Sequence, residues 1–162
     1  MKRLCTCALV ALFALTAAGV FADTNTADQV VSYTVNEVQL ISVAGTPSIT
    51  INAAASAGAD LTASTAAASF SLTNNGSAAK IKAAISGTAL PAGATLKVVL
   101  ASVGSGTPKN GDVALGSTDT VLEDGIGPVH STGNAITYTL FVPASAGVIA
   151  SGSTTVTYTI SD

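Results

Sequence analysis

Ile136-Thr137-Tyr138-Thr139-Leu140-Phe141-Val142, answered near the end of the chain by Thr154-Thr155-Val156-Thr157-Tyr158-Thr159-Ile160, is the reading that decides the fold class. Apolar side chains fall on alternate positions, Ile136, Tyr138, Leu140 and Val142 in the first run and Val156, Tyr158 and Ile160 in the second, with threonine holding most of the positions between. A period of two puts these groups on opposite faces of a strand, and the β-branched and aromatic residues suit a pleated surface. A threonine-rich outer face is what a sheet with one wet side presents.

The same alternation recurs upstream in Val31, Tyr33 and Val35, in Ile49 and Ile51, and in Phe70 and Leu72. It continues in Ile81, Ala83 and Ile85, then in Leu96, Val98 and Leu100. Turn residues separate the runs. Asn74-Asn75-Gly76-Ser77 reads as a hairpin turn, Pro91-Ala92-Gly93 as another, and residues 103–116, rich in Gly, Ser and Pro, as a loop. A single helical turn around residues 119–124 is compatible with Val121, Leu122 and Ile126, which break the alternation. The apolar parity shifts from odd positions in 31–35 to even ones at Val38 and Leu40, with Asn36-Glu37 between, which signals a bulge or a change of sheet. The fold expected is all-β, an immunoglobulin-like β-sandwich of about seven or eight strands.

The first 22 residues read as a secretory signal peptide. Lys2 and Arg3 precede an apolar run over residues 8–20, and Val20-Phe21-Ala22 offers a cleavage site before Asp23. The run falls short of the roughly 20 residues a spanning helix needs, so no membrane span is expected. Taking 22 from 162 leaves 140 residues, one domain's worth, divided into an N-terminal strand over 23–36 and a sandwich over 37–162. Cys5 and Cys7 leave with the signal, so the exported chain relies on its core without disulfides. Four lysines then face nine acidic residues, for a net charge of −5. A mildly acidic chain with no basic cluster excludes nucleic acid as a partner and offers no cationic face to an anionic membrane. Charged residues are only 9% of the chain, against roughly 25% in ordinary soluble domains, so little repulsion keeps copies apart.

Catalytic chemistry has little to draw on. His130 is the only histidine, no thiol survives export, and no Gly-x-Ser-x-Gly elbow is present, so His130 reads as an exposed loop residue and no enzyme is expected. No cofactor is expected either. The best metal candidates are hard oxygen donors: Asp112, Asp119, Glu123 and Asp124, with Asn110 nearby. Their spacing fits no EF-hand loop, and little or no calcium dependence is expected. Among the aromatic residues of the exported chain, only Phe141 falls on an outer face, a thin platform for stacking on sugar rings.

The N-terminal alternating stretch over 30–35, the cysteine-free Thr/Ala/Ser-rich sandwich and the last strand over 154–160 together resemble fimbrial subunits. The closest layout is that of chaperone–usher pilins lacking a disulfide and of other small Ig-like bacterial fibre proteins. The resemblance covers most of the exported chain and rests on arrangement. It implies an incomplete sandwich completed by the N-terminal strand of the next subunit, with Val31, Tyr33 and Val35 as the assembly residues. The expected role is an exported, non-catalytic structural subunit that associates with copies of itself or with another surface protein, at the cell surface or outside the cell. The alternative is a monomeric secreted or periplasmic binding module for a glycan or a protein.

Overall fold

A computed structural model describes residues 26–162, so the signal-peptide reading lies outside the described residues. Of these, residues 26–34 belong to one unit and Val35–Asp162 to a second, compact one. The second unit is all-β apart from a single 3-10 turn at Ala144–Ala146.

Two antiparallel sheets form it. The first runs in the order β1 (Gln39–Gly45), β2 (Leu61–Asn74), β8 (Val129–Val142), β4 (Thr95–Leu100) and β6 (Val113–Ala114). The second runs β5 (Thr107–Pro108), β7 (Thr120–Ile126), β3 (Ala79–Ile85) and β9 (Val156–Ser161). The expectation of a β-sandwich holds at that level. The strand order departs from the immunoglobulin one, in which the D–E and F–G steps each stay within a sheet. Here every step from β2 to β9 passes from one sheet to the other, and β2-β8-β4-β6 facing β5-β7-β3 is the pairing order of a jelly roll.

That wiring changes the meaning of the turns. Asn74-Asn75-Gly76-Ser77 joins β2 in one sheet to β3 in the other, so it is an arch across the sandwich and not a hairpin. The arch is tight enough that Ala78 takes a φ of 66°, a conformation that L side chains seldom adopt. Asn74 is buried within it. Its Nδ2 donates to the carbonyls of Ile126 and Gly127, both at 3.0 Å, and lies 3.2 Å from that of Gly76, while its Oδ1 accepts from Gly76 N. The core between the sheets is filled by the alternating sets expected: Phe70 and Leu72, Ile81 and Ala83, Leu96, Val98 and Leu100, Ile136 and Tyr138.

Three expected elements are absent. Residues 26–38 form no strand, although Val31, Tyr33 and Val35 alternate, and β1 begins only at Gln39. Residues 48–51 pair with nothing, although Ile49 packs on the core. Residues 119–124 are not helical; they enter β7, whose register against β3 slips twice, at Leu122 and around Asp124-Gly125. The loop expected over 103–116 contains the two short strands β5 and β6.

Candidate functional site: an apolar cleft at one pole

The acidic candidates do not converge. Asp112 and Asp119 are exposed at separate strand ends, and Asp124 sits 3.6 Å from Lys80 Nζ in a surface ion pair. Among the described residues no three His, Cys, Asp or Glu side chains come together as a metal site. His130 is exposed, but it lies within β8 opposite Thr73 and not in a loop.

Glu123 departs furthest from its sequence reading. The slip at Leu122 turns both Leu122 and Glu123 inward, and Glu123 is completely buried. Its Oε2 has no partner, and Ser102 Oγ lies 3.5 Å from Oε1. Burial pushes the carboxyl above its ordinary 4.5, and the Val103 backbone and Ser102 hydroxyl only partly offset this. The folded protein therefore binds this proton more tightly than the unfolded chain. Stability is fully present below pH 4.5 and is lost as pH rises through the raised folded value. Glu123→Gln cannot ionise and keeps the shape. Relative to the parent it is expected to gain on the order of 1–3 kcal/mol above that window and nothing below pH 4.5. Urea unfolding midpoints of the two proteins across pH 4–9 check this; a constant difference between them would refute it.

A concave feature lies between the sheets at one pole, where the first sheet loses its outer strand. β2 carries one extra residue against β8 between Thr65 and Ala68. At that bulge Gly45 ends β1 so close that a Cβ on it would clash with the Ala67 carbonyl oxygen, and its φ of 96° suits only glycine. Thr46-Pro47 follow, and proline has no N–H with which to continue the ladder. Residues 61–65 of β2 consequently pair with β8 alone, and residues 66 and 67 at the bulge pair with neither neighbour.

The result is a cleft of about 1080 Å³. Its apolar lining includes Val43, Ile49, Leu61, Leu140, Val156 and Tyr158, and no charged side chain faces it among the described residues. β9 borders it and leaves one backbone edge unpaired. On the wall, Tyr138 of β8 and Tyr158 of β9 join the two sheets through hydroxyls 2.7 Å apart. Burial raises both phenols above their ordinary range, so both keep their protons. Two hydroxyls sharing one hydrogen bond leave one O–H free to donate. The cleft thus combines apolar surface, unpaired backbone and a spare donor, which suits an extended peptide better than a small ion. Sequence reading missed it, because Gly45 and Pro47 mark where β1 stops only once the partner strands of that ladder are known.

At the opposite pole Asn75 holds the entry to β1. Its Oδ1 accepts from Val38 N at 2.6 Å and its Nδ2 donates to Asn36 O at 2.9 Å. These are same-side groups two residues apart, as an extended chain presents them. No family model, no curated protein and no solved structure matches this chain.

Proposed function

We propose that the protein is an exported, non-catalytic structural subunit of a cell-surface or extracellular assembly, linked to its neighbours through the segment carrying Val31, Tyr33 and Val35. One observation carries the reading. Val30, Val31, Tyr33 and Val35 are 92, 74, 87 and 76% exposed, in a stretch that belongs to no strand. A run of this kind holds an apolar row and unsatisfied backbone in water, and both are relieved when another chain covers them. The low charge of the chain leaves little repulsion against close stacking. Electron microscopy of the purified protein beginning at Asp23, and of the producing cells, tests the reading. Filaments or ordered arrays are expected, and a strictly monomeric protein at high concentration would refute it.

The second reading, a monomeric module for a glycan or protein, draws on the outer face of the first sheet. Phe141 lies there between Thr62 and Thr95 on the flanking strands, with Thr139 and Ser64 on the next rung. Phe141 is half-buried, which reduces the ring face it can offer a sugar.

A further inference from the structure

We infer that the cleft beside Gly45 and β9 binds one small neutral lipid, a monoacyl ester. Its hydrocarbon chain lies against the buried wall, and its ester carbonyl accepts the free hydroxyl proton of the Tyr138–Tyr158 pair. Such a ligand is held within one copy of the chain, whether or not the copies assemble.

The buried part of the lining suits hydrocarbon. Ala68, Leu96, Tyr138 and Val142 are 4–6% exposed there, and each lies within the paired strands β2, β8 and β4. This wall therefore presents side chains, while unpaired backbone is left at the margins, on β9 and on residues 61–65. A peptide brings an N–H and a C=O with every residue, and each needs a partner once buried. A hydrocarbon chain brings neither. The volume of about 1080 Å³ lies at the top of the range, roughly 300–1,000 Å³, in which single small molecules are held.

Charge selects the head group. The segments that line the cleft, residues 38–59, 61–79, 83–96 and 125–161, contain no Asp, Glu, Lys or Arg. A carboxylate or an ammonium group would enter without a countercharge, which opposes a fatty-acid anion or a cationic lipid. Tyr138 is the one polar residue of the buried wall, and its hydroxyl meets that of Tyr158 at 2.7 Å. Both phenols keep their protons, so the pair is neutral and has one O–H left to donate. A neutral ester carbonyl is an acceptor that matches this single donor.

The mouth of the cleft is apolar as well. Val43, Val148 and Ile149 belong to its lining and are 48, 99 and 40% exposed. An acyl chain running out of the cleft covers this surface, which otherwise stands in water.

Titration of the exported protein with dispersed 1-monolaurin, followed by calorimetry and by methyl NMR, tests the site. Saturable binding of one molecule per chain is expected, with shifts at Leu96, Leu140, Val142 and Val156 and none at Leu40. Laurate at pH 8, with the same chain and a charged head, is expected to bind about tenfold more weakly or worse. The double variant Tyr138→Phe/Tyr158→Phe removes both hydroxyls and keeps both rings; it is expected to lose about five- to tenfold in affinity for monolaurin. Ile149→Asp tests the mouth at an exposed position where folding is not at stake, and is expected to weaken binding by about tenfold. Leu40→Asp on the outer face is expected to leave binding unchanged. Absence of saturable binding, shifts confined to the outer face, laurate binding as tightly as monolaurin, or equal effects of the Ile149 and Leu40 variants would each overturn the inference. So would an uncharged synthetic peptide that shifts the cleft residues where monolaurin does not. None of these outcomes depends on whether filaments form.

Discussion

Deleting residues 23–35 is expected to abolish assembly and to leave β1 (Gln39–Gly45) and the rest of the sandwich folded. The compact unit begins at Val35, and every buried core residue lies beyond it, so the deletion removes nothing the core uses. What it removes is the apolar row. Burying Val31, Tyr33 and Val35 fully is worth on the order of 5–8 kcal/mol. Ordering each residue costs roughly 1–2 kcal/mol of backbone freedom, so the net gain stays positive only when a preformed slot supplies hydrogen bonds as well. A single change should therefore go far. On the proposed assembly role, Tyr33→Asp places a carboxylate in the apolar row that a neighbour would cover, and is expected to weaken assembly by about a hundredfold or more, equivalent to about 3 kcal/mol. Sedimentation and microscopy of the three proteins at matched concentration check this, with circular dichroism to confirm that the truncated chain keeps its β spectrum. Filaments of ordinary length from the truncated chain would refute it.

Periodicity was a good guide wherever both faces of a run have fixed environments. Phe70 and Leu72, Ile81 and Ala83, Leu96 and Val98, Ile136 and Tyr138 all point into the core as their alternation requires. It misled where alternation has no partner to pair with. Val31-Ser32-Tyr33-Thr34-Val35 and Ser48-Ile49-Thr50-Ile51 carry the pattern of strands, yet neither joins a sheet, because alternation fixes which face a side chain takes and not whether the backbone finds a partner. Loop chemistry alone could not separate a hairpin from an arch. Asn74-Asn75-Gly76-Ser77 satisfies either, and the sheet to which the following strand goes decides it. Glu123 was hidden for a related reason. A one-residue slip in β7 reverses the face of a side chain, and the sequence of β7 contains no glycine or proline at Leu122 to mark the slip. The cleft was not legible in the sequence, because it depends on which strands β1 and β2 meet and where their pairing ends.

Asn74 holds the arch and Asn75 holds the entry to β1, and the two residues are expected to fail in different ways. Asn74→Ala leaves the carbonyls of Ile126 and Gly127 without their donor inside the arch, and frees Gly76 N from its acceptor. Each buried polar group stripped of its partner costs about 1–3 kcal/mol, and part of that is recovered by water entering beside the half-exposed Gly76 and Gly127. A loss of about 2–4 kcal/mol is expected, read as a fall in melting temperature of about 5–15 °C for a domain of this size. Asn74→Asp is informative beside it. The carboxylate keeps the acceptor for Gly76 N but sets negative charge against two carbonyl oxygens, so it is expected to cost at least as much as alanine. Asn75 is exposed, and its bonds reach only Asn36 and Val38. Asn75→Ala should cost no more than about 1 kcal/mol of domain stability. On the proposed assembly role its effect falls on assembly, because residues 36–38, which connect the Val31–Val35 segment to β1, lose their fastening. Calorimetry paired with filament length measurements separates the two. A stability loss for Asn75→Ala as large as that for Asn74→Ala, with filaments unaltered, would show that the pair serves only the arch.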